Sequence, residues 1–360
     1  MNIEKALIIL SACAVNSVDP DPQIISSIDL DALYEIACEH QLSAVVAIAL
    51  KSGGLYDPRF EQERAKAIRK TLIFDRERKD ILIALERAKI WYMPLKGVIL
   101  KDYYPQMGMR QMSDNDILVD ALRADDVHEI MTRLGYSTAI YDSGHRDDYR
   151  KPPVSHFEMH RILFSEENGE EFYKYYRDVK TRLVKDKENN YGFHFTHEDF
   201  YIYMIAHEYK HYIWAGTGIR SLLDTYVFLQ RYNDLLDWKY LKDEFNKLNI
   251  ADFEIQNRML SLALFNVGQK DSLSEKQEKM SQYYFTSGAY GTKEHVVQNI
   301  IMKSGKLKYA FGQIFPPMKA IKEHYPLFYK HKILIPLLPL YRLIHRWESV
   351  KEIIRIMKTC

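Results

Sequence analysis

Apolar residues recur at helical spacing through the first quarter of the chain. Residues 3–15 read as a short apolar helix, broken by two Asp-Pro pairs between Ser17 and Pro22. Asp29 or Asp31 caps a second helix through Leu33, Ile36, Ala37, Val45, Ile48 and Ala49, with a split near Gln41, and Ser52-Gly53-Gly54 ends it. A longer helix over Phe60–Lys89 carries Ile68, Leu72, Ile81, Leu82 and Leu85 at helical spacing, and its other faces are heavily charged.

The period then changes. Ile90–Leu95 is a short apolar strand, and Pro94 assigns it to a sheet edge or a strand end. A helix over Val98–Tyr104 follows, closed by Pro105, and Gly108 turns the chain into Asp114-Asn115-Asp116-Ile117-Leu118-Val119. Asp125 is placed to cap a helix that ends at Gly135, and Tyr136–Tyr141 is the next strand. Asp142–Pro153 reads as a polar loop. Val154–Phe164 alternates with period two, with His156, Glu158 and His160 on one face and Phe157, Met159 and Leu163 on the other; Arg161 breaks the apolar face. From Thr196, which forms an acidic capping box with Asp199, the pattern is helical again. A second helix after Gly216 and Gly218 carries Arg220 and Asp224. Trp238–Leu248 is another, and helical segments continue to about Lys308. A Pro-rich stretch then leads to a basic amphipathic helix over Tyr341–Lys358.

Composition narrows the class without naming a chemistry. The chain has 360 residues, 47% hydrophobic and 28% charged, as a folded chain of two or three domains, or of one domain with large helical additions, would. A formal net charge of +1 gives no global field to recruit nucleic acid. Cys13, Cys38 and Cys360 are far apart and lack metal spacing, which predicts a reducing, cytoplasmic setting and no disulfide framework. The N-terminal apolar run reads as a buried helix in preference to a signal peptide. The basic tail is expected to pack on protein, and stable membrane association is not expected.

Candidate chemistry is concentrated around Asp114 and Asp116. In an extended strand these side chains share one face while Ile117 and Val119 face the other way. Neighbouring carboxylates repel unless a cation neutralises them, and hard oxygen donors suit Mg²⁺ with substrate phosphates. On the spacing alone, a solvated Asp-Asn-Asp turn is the preferred reading.

Further residues, in order, carry a resemblance. They are Leu95-Lys96-Gly97, Leu100 and Tyr104, then Arg110 and the Asp114–Val119 run, then Leu134-Gly135-Tyr136 and Glu158-Met159-His160. Downstream come His207, Lys210, His211, Arg220 and Asp224. Together they resemble the bacterial family labelled uncharacterised nucleotidyltransferases, within the polymerase-β-like superfamily. The resemblance implies an α+β fold, with a small mixed β-sheet nucleotidyltransferase core flanked by N-terminal and C-terminal α-helical regions. The boundaries expected are 1–75 for the N-terminal helices, 76–190 for the core, 191–312 for the C-terminal helices and 313–360 for the Pro-rich segment and tail helix.

It also implies that Asp114 and Asp116 from one strand and Glu158 from the next hold Mg²⁺ (or Mn²⁺). An NTP would then give its nucleoside monophosphate to an acceptor that is a small molecule, sugar, protein or tRNA. Lys96-Gly97 stands where the superfamily usually has Gly-Ser. Lys96, Gly97, Arg110 and Ser113 are accordingly expected on the nucleotide side. His160, His207, Lys210, His211, Arg220 and Asp224 are expected on the substrate side, with Asp224 orienting Lys210 or Arg220.

Two rival readings are carried forward. His207-Glu208-Tyr209-Lys210-His211 matches the H-E-x-x-H helix motif of zinc metallopeptidases. Against it, Trp214 stands where a metzincin needs Gly, and no Glu follows until Glu244. The other rival is a catalytically inactive, antitoxin-like nucleotide-binding module, against which all three carboxylate positions are filled.

Overall fold

The computed structural model describes residues 1–141, 144–268, 272–316, 318, 321–322, 325–345 and 351. It is a mixed α+β structure in two compact units. One comprises Met1–Lys210 with Gly218–Ala289, and the other His211–Thr217 with Tyr290–Cys360.

The first unit opens with helices α1 (Ile3–Asn16), α2 (Pro22–Ser26), α3 (Leu30–Glu39) and α4 (Ser43–Ser52). The split expected near Gln41 falls there: Gln41 has φ 54° and separates α3 from α4. Asp29 caps α3 by accepting from Asp31 N and Ala32 N. The long helix α5 (Pro58–Arg87) starts on Asp57, whose carboxylate accepts from Arg59 N, with Pro58 in its first turn.

A five-stranded mixed sheet follows, built from β1 (Tyr92–Pro94), β2 (Asn115–Val119), β3 (Ser137–Ile140), β4 (Arg146–Lys151) and β5 (Ser155–His160). Its spatial order is β1-β2-β5-β4-β3. β2 and β5 run parallel, and the other neighbours are antiparallel. Between β1 and β2 lie α6 (Gly97–Leu100) and a 3₁₀ turn, Lys101–Tyr103. Between β2 and β3 lies α7 (Ala124–Arg133). β1 is the end strand, which is where Pro94 is tolerated.

Alternation on β2 and β5 divides the core in two. Ile117, Val119, Phe157 and Met159 face α5 and α7 and pack with Ile81, Leu85, Val127, Ile130, Met131 and Tyr136. Full burial of such a side chain contributes roughly 1.5–3 kcal/mol. On the opposite face Leu118 joins Met93, Leu95 and Leu100 in a second core. That core is shared with α8 (Glu170–Tyr176), α9 (His197–Tyr212), α10 (Ile219–Tyr232) and α11 (Trp238–Lys247). The Asp114, Asp116, Leu118 side of β2 therefore looks toward the C-terminal helices.

Two expectations are corrected. The stretch 142–153 is not a loop throughout, because β4 runs inside it and pairs with both β3 and β5. It carries one apolar residue, Tyr149, so it has no strand-like hydrophobic pattern. Its buried Asp147 and Asp148 are instead matched by Arg161 and Arg146. Asp125 does not cap α7. The helix begins one residue earlier with Arg123 at the cap position, and Asp125 lies in the first turn, where it accepts from Tyr141 Oη. At the other end Gly135 adopts φ 85°, and Tyr136 N bonds Met131 O across the turn.

A two-stranded sheet, β6 (Val184–Lys185) with β7 (Phe193–His194), and helices α12 (Ala251–Phe265) and α13 (Glu275–Ser287) complete the first unit. In the second unit, α14 (Lys293–Ser304) and α15 (Lys306–Ile314) precede short helices at Pro326–Lys330 and Leu338–His345. Most of the tail helix expected over Tyr341–Lys358 falls on residues outside those described. No helix among the described residues is long and apolar enough to cross a membrane.

His40 ties α3 to the start of α10. It is fully buried, its Nδ1 accepts from Ile219 N at 3.4 Å, and its ring meets Phe285 edge-on. Burial lowers its pKa from 6.5 to about 4. Its folded form therefore binds fewer protons than the unfolded chain between those values. Stability from this residue is complete above pH 6.5 and declines as pH falls toward 4, by a few kcal/mol in total. Urea unfolding across this window should show that slope in the wild type and a shallower one in His40→Gln. Parallel slopes would refute the assignment.

Candidate active site

The parallel pairing of β2 and β5 builds the site. In that register Asp116 lies opposite Glu158. Asp114, two residues earlier, joins the same face, as do His156 and His160 on either side of Glu158. Two groups of donors result, Asp114–His156–Glu158 and Asp116–Glu158–His160, and within each the donor atoms lie within 4.8 Å of one another. Asp116, Glu158 and His160 keep 19%, 10% and 14% of their side-chain surface exposed. The carboxylates are thus mostly withdrawn from water yet still reachable.

The electrostatics follow from that crowding. Burial, then the charges of Asp116 and Glu158, push the Asp114 carboxyl up to about 6. Burial also acts on Asp116, but the hydrogen bond and charge of His160, with Lys96 and Arg146 beyond, hold it below its ordinary value. His160 Nε2 lies 3.2 Å from Asp116 Oδ1 and 3.5 Å from Glu158 Oε2. Burial opposes the imidazolium, and these two carboxylates outweigh it, raising His160 to about 9.

The sequence reading missed two residues of this cluster, both on β4. Arg146 Nη1 bonds Glu158 Oε2 at 2.9 Å, and its Nε lies 3.2 Å from Asp148 Oδ1. Asp148 stands opposite Glu158 in the β4–β5 ladder. The signal available was the alternation of Arg146, Asp148 and Arg150 in the stretch read as a loop.

Lys96 and Gly97 form the turn after β1, beside β2 through the Leu95 N to Asp116 O bond of 2.9 Å. Lys96 has φ 34° and ψ −94°, a conformation that costs on the order of 1–3 kcal/mol. Its Nζ is hydrogen-bonded to His207 Nδ1 at 2.8 Å. Burial lowers the Lys96 ammonium to about 8, with Asp224 acting in the opposite sense. Gly97 is required by a close approach, because a Cβ there would lie 2.7 Å from Arg110 Nη1.

Arg110 itself is held by the C-terminal helices. Its Nε and Nη2 donate to the two oxygens of Asp224 at 2.8 and 2.9 Å, and Tyr104 Oη donates to Asp224 Oδ1 at 2.8 Å. All three side chains are buried. Asp224, grouped from sequence with Lys210 and Arg220, is thus engaged by Arg110. Arg220 Nη1 donates to Gln111 O at 3.1 Å. The Ser113 carbonyl accepts from Lys70 Nζ at 2.9 Å, and Arg78 Nη1 donates to Asn115 Oδ1 at 2.9 Å, so α5 grips the entry to β2. Lys210 lies over the Phe164 ring at 5.4 Å. Burial lowers its ammonium pKa, while Asp116 and Glu158 act to raise it. His211 belongs to the second unit.

The family model described as uncharacterised nucleotidyltransferase matches residues 26–266. The chain belongs to that family. No curated protein and no solved structure matches it.

The family generally uses a divalent cation, and the residues of this cluster fit one. Three carboxylates converge on one face, and burial with their mutual repulsion already raises Asp114. The H-E-x-x-H rival loses support. Glu208 is buried and accepts from Asn257 Nδ2 at 2.9 Å and Tyr284 Oη at 2.7 Å, and His207 is bonded to Lys96. Among the described residues the two donor groups include neither His207 nor His211.

The Arg110–Asp224 pair gives a stability test. Asp224→Ala leaves a buried guanidinium without its carboxylate and should destabilise the fold by roughly 3–5 kcal/mol in thermal or urea unfolding. Lys174→Ala, which breaks an exposed pair with Glu170, should leave the midpoint nearly unchanged. Equal midpoints for the two variants would show that the buried pair contributes nothing.

Proposed function

We propose that this chain is a metal-dependent nucleotidyltransferase that transfers a nucleoside monophosphate from an NTP to an acceptor hydroxyl or phosphate, with release of pyrophosphate. The observation that carries the reading is the register of β2 and β5, with Asp116 opposite Glu158 and Asp114 on the same face. Asp114, Asp116 and Glu158 would hold Mg²⁺ or Mn²⁺. A bound divalent cation supplies charge neutralisation for the triphosphate and acidifies the attacking oxygen. The residues do the rest by positioning. Lys96 brings an ammonium group to the turn beside β2, and Gly97 keeps that turn close to Arg110. Arg110, paired with Asp224, which also accepts from Tyr104, holds the segment behind the turn in place. Ser113 stands at the entry to β2, on the nucleotide side of the same reading. Lys210 and Arg220 belong to the substrate side, where the acceptor is a small molecule, sugar, protein or tRNA. A reducing, cytoplasmic setting belongs to the same proposal, on the three widely spaced cysteines of the sequence.

Asp116→Ala should lower divalent-dependent transfer of label from α-labelled NTPs by on the order of 100-fold or more, with the circular dichroism spectrum retained. The assay uses all four NTPs with candidate acceptors. The same labelled product at the same rate from wild type and variant would remove the mechanism.

A further inference from the structure

Positive charge stands on both flanks of the carboxylates. The order β1-β2-β5-β4 places Lys96, in the turn after β1, on one flank and Arg146, on β4, on the other. Neighbouring strands lie about 4.8 Å apart, so the two backbones are roughly 14 Å from each other. Helix α9 reaches toward both flanks. Its His207 is bonded to Lys96 Nζ at 2.8 Å. Its Lys210, about one turn further along, lies 5.4 Å over the ring of Phe164, which follows β5.

Lys210 and Arg146 are both placed to take an anion. Among the described residues the Lys210 ammonium makes no hydrogen bond and no ion pair; its contact is the Phe164 ring. Asp116 and Glu158 attract it from beyond ion-pair distance, and Arg146 repels it. An ammonium group has three donors, and one withdrawn from bulk water gains most from an anion that takes them up. Arg146 Nη1 donates to Glu158 Oε2 at 2.9 Å, and its Nε lies 3.2 Å from Asp148 Oδ1. Even so, 36% of the Arg146 side chain stays exposed, more than Asp116, Glu158 or His160 keep. Two cations that repel each other beside one opening are both stabilised by an anion held between them.

We infer that Arg146 and Lys210 form a phosphate position on the β4 flank, separate from the Lys96 flank, and that the acceptor is a small molecule carrying a phosphate monoester. A planar guanidinium fork and an ammonium point charge suit a phosphate dianion and give a neutral sugar no comparable hold. A formal net charge of +1 supplies no wider field for a nucleic-acid polyanion. With the donor triphosphate on the Lys96 flank, an acceptor phosphate on the β4 flank leaves the carboxylates between the two substrates. This rests on the proposed transfer reaction and deepens it by naming the acceptor class.

The test is the binding of inorganic phosphate and glycerol phosphate to the full chain without nucleotide or metal, followed by phosphorus NMR line broadening. Lys210→Met and Arg146→Gln should each weaken both probes by about 10-fold or more, and Arg146→Lys should recover part of the loss. Circular dichroism checks folding. Lys210→Met breaks no ion pair among the described residues, so it reads the position even where loss of Arg146 disturbs β4. Adding α,β-methylene-ATP with Mg²⁺ should leave glycerol phosphate bound. No binding of either probe by the wild type, or unchanged binding in Lys210→Met, would overturn the inference. So would displacement of glycerol phosphate by the nucleotide, which assigns Arg146 and Lys210 to the donor triphosphate. RNA that displaces it at micromolar concentration would replace the small acceptor with a polyanion and overturn the inference too. Lys210-dependent phosphate binding without Asp116-dependent transfer would leave the phosphate position standing and remove the reaction. Asp116-dependent transfer with phosphate binding intact in both variants would do the reverse.

Discussion

The parallel ladder between β2 and β5 is the constraint on which the rest depends. A shift of one residue in that pairing would exchange the faces of β5. Phe157 and Met159 would leave the core beneath α5 and α7, and Glu158 would be buried in their place. Hydrophobic burial on one face therefore fixes the chemistry on the other. The apolar residues that hold the register are not the ones that face the site, yet they decide which donors meet.

The helices around the sheet extend this control. Lys70 and Arg78 on α5 fasten Ser113 and Asn115, which flank Asp114. On the opposite side, α9 reaches Lys96 through His207, and α10 reaches Arg110 through Asp224. A small five-stranded sheet could not bury a cluster of this charge unaided. The added helices supply the low-polarity walls that raise Asp114 and lower Lys96, while Arg110 and Tyr104, from the segment between β1 and β2, keep Asp224 on α10 ionised.

The buried charges are arranged in matched sets and not as isolated groups. Arg110 has Asp224, Arg161 has Asp147, and Arg146 lies between Asp148 and Glu158. Each set joins segments distant in sequence or neighbouring strands. That is why β4, rich in charge and poor in apolar residues, can occupy the interior of the sheet between β3 and β5. An ion pair completed only by folding leaves no hydrophobic period to read beforehand.

Sequence alone determined the elements with strong periods and clear ends. These were the long helix α5, the split at Gln41, the Gly135 exit of α7, the alternation of β5 and the common face of Asp114 and Asp116. It did so because side-chain period and capping chemistry are local properties. The family resemblance added Glu158 as the third carboxylate. Only the tertiary structure decided that β4 exists, that Arg146 and Asp148 join the cluster, that Asp224 holds Arg110, and that His156 and His160 each fall beside a different aspartate. Those outcomes depend on distances between residues from about ten to more than a hundred positions apart. Such distances are fixed by strand register and helix packing, which no local pattern encodes.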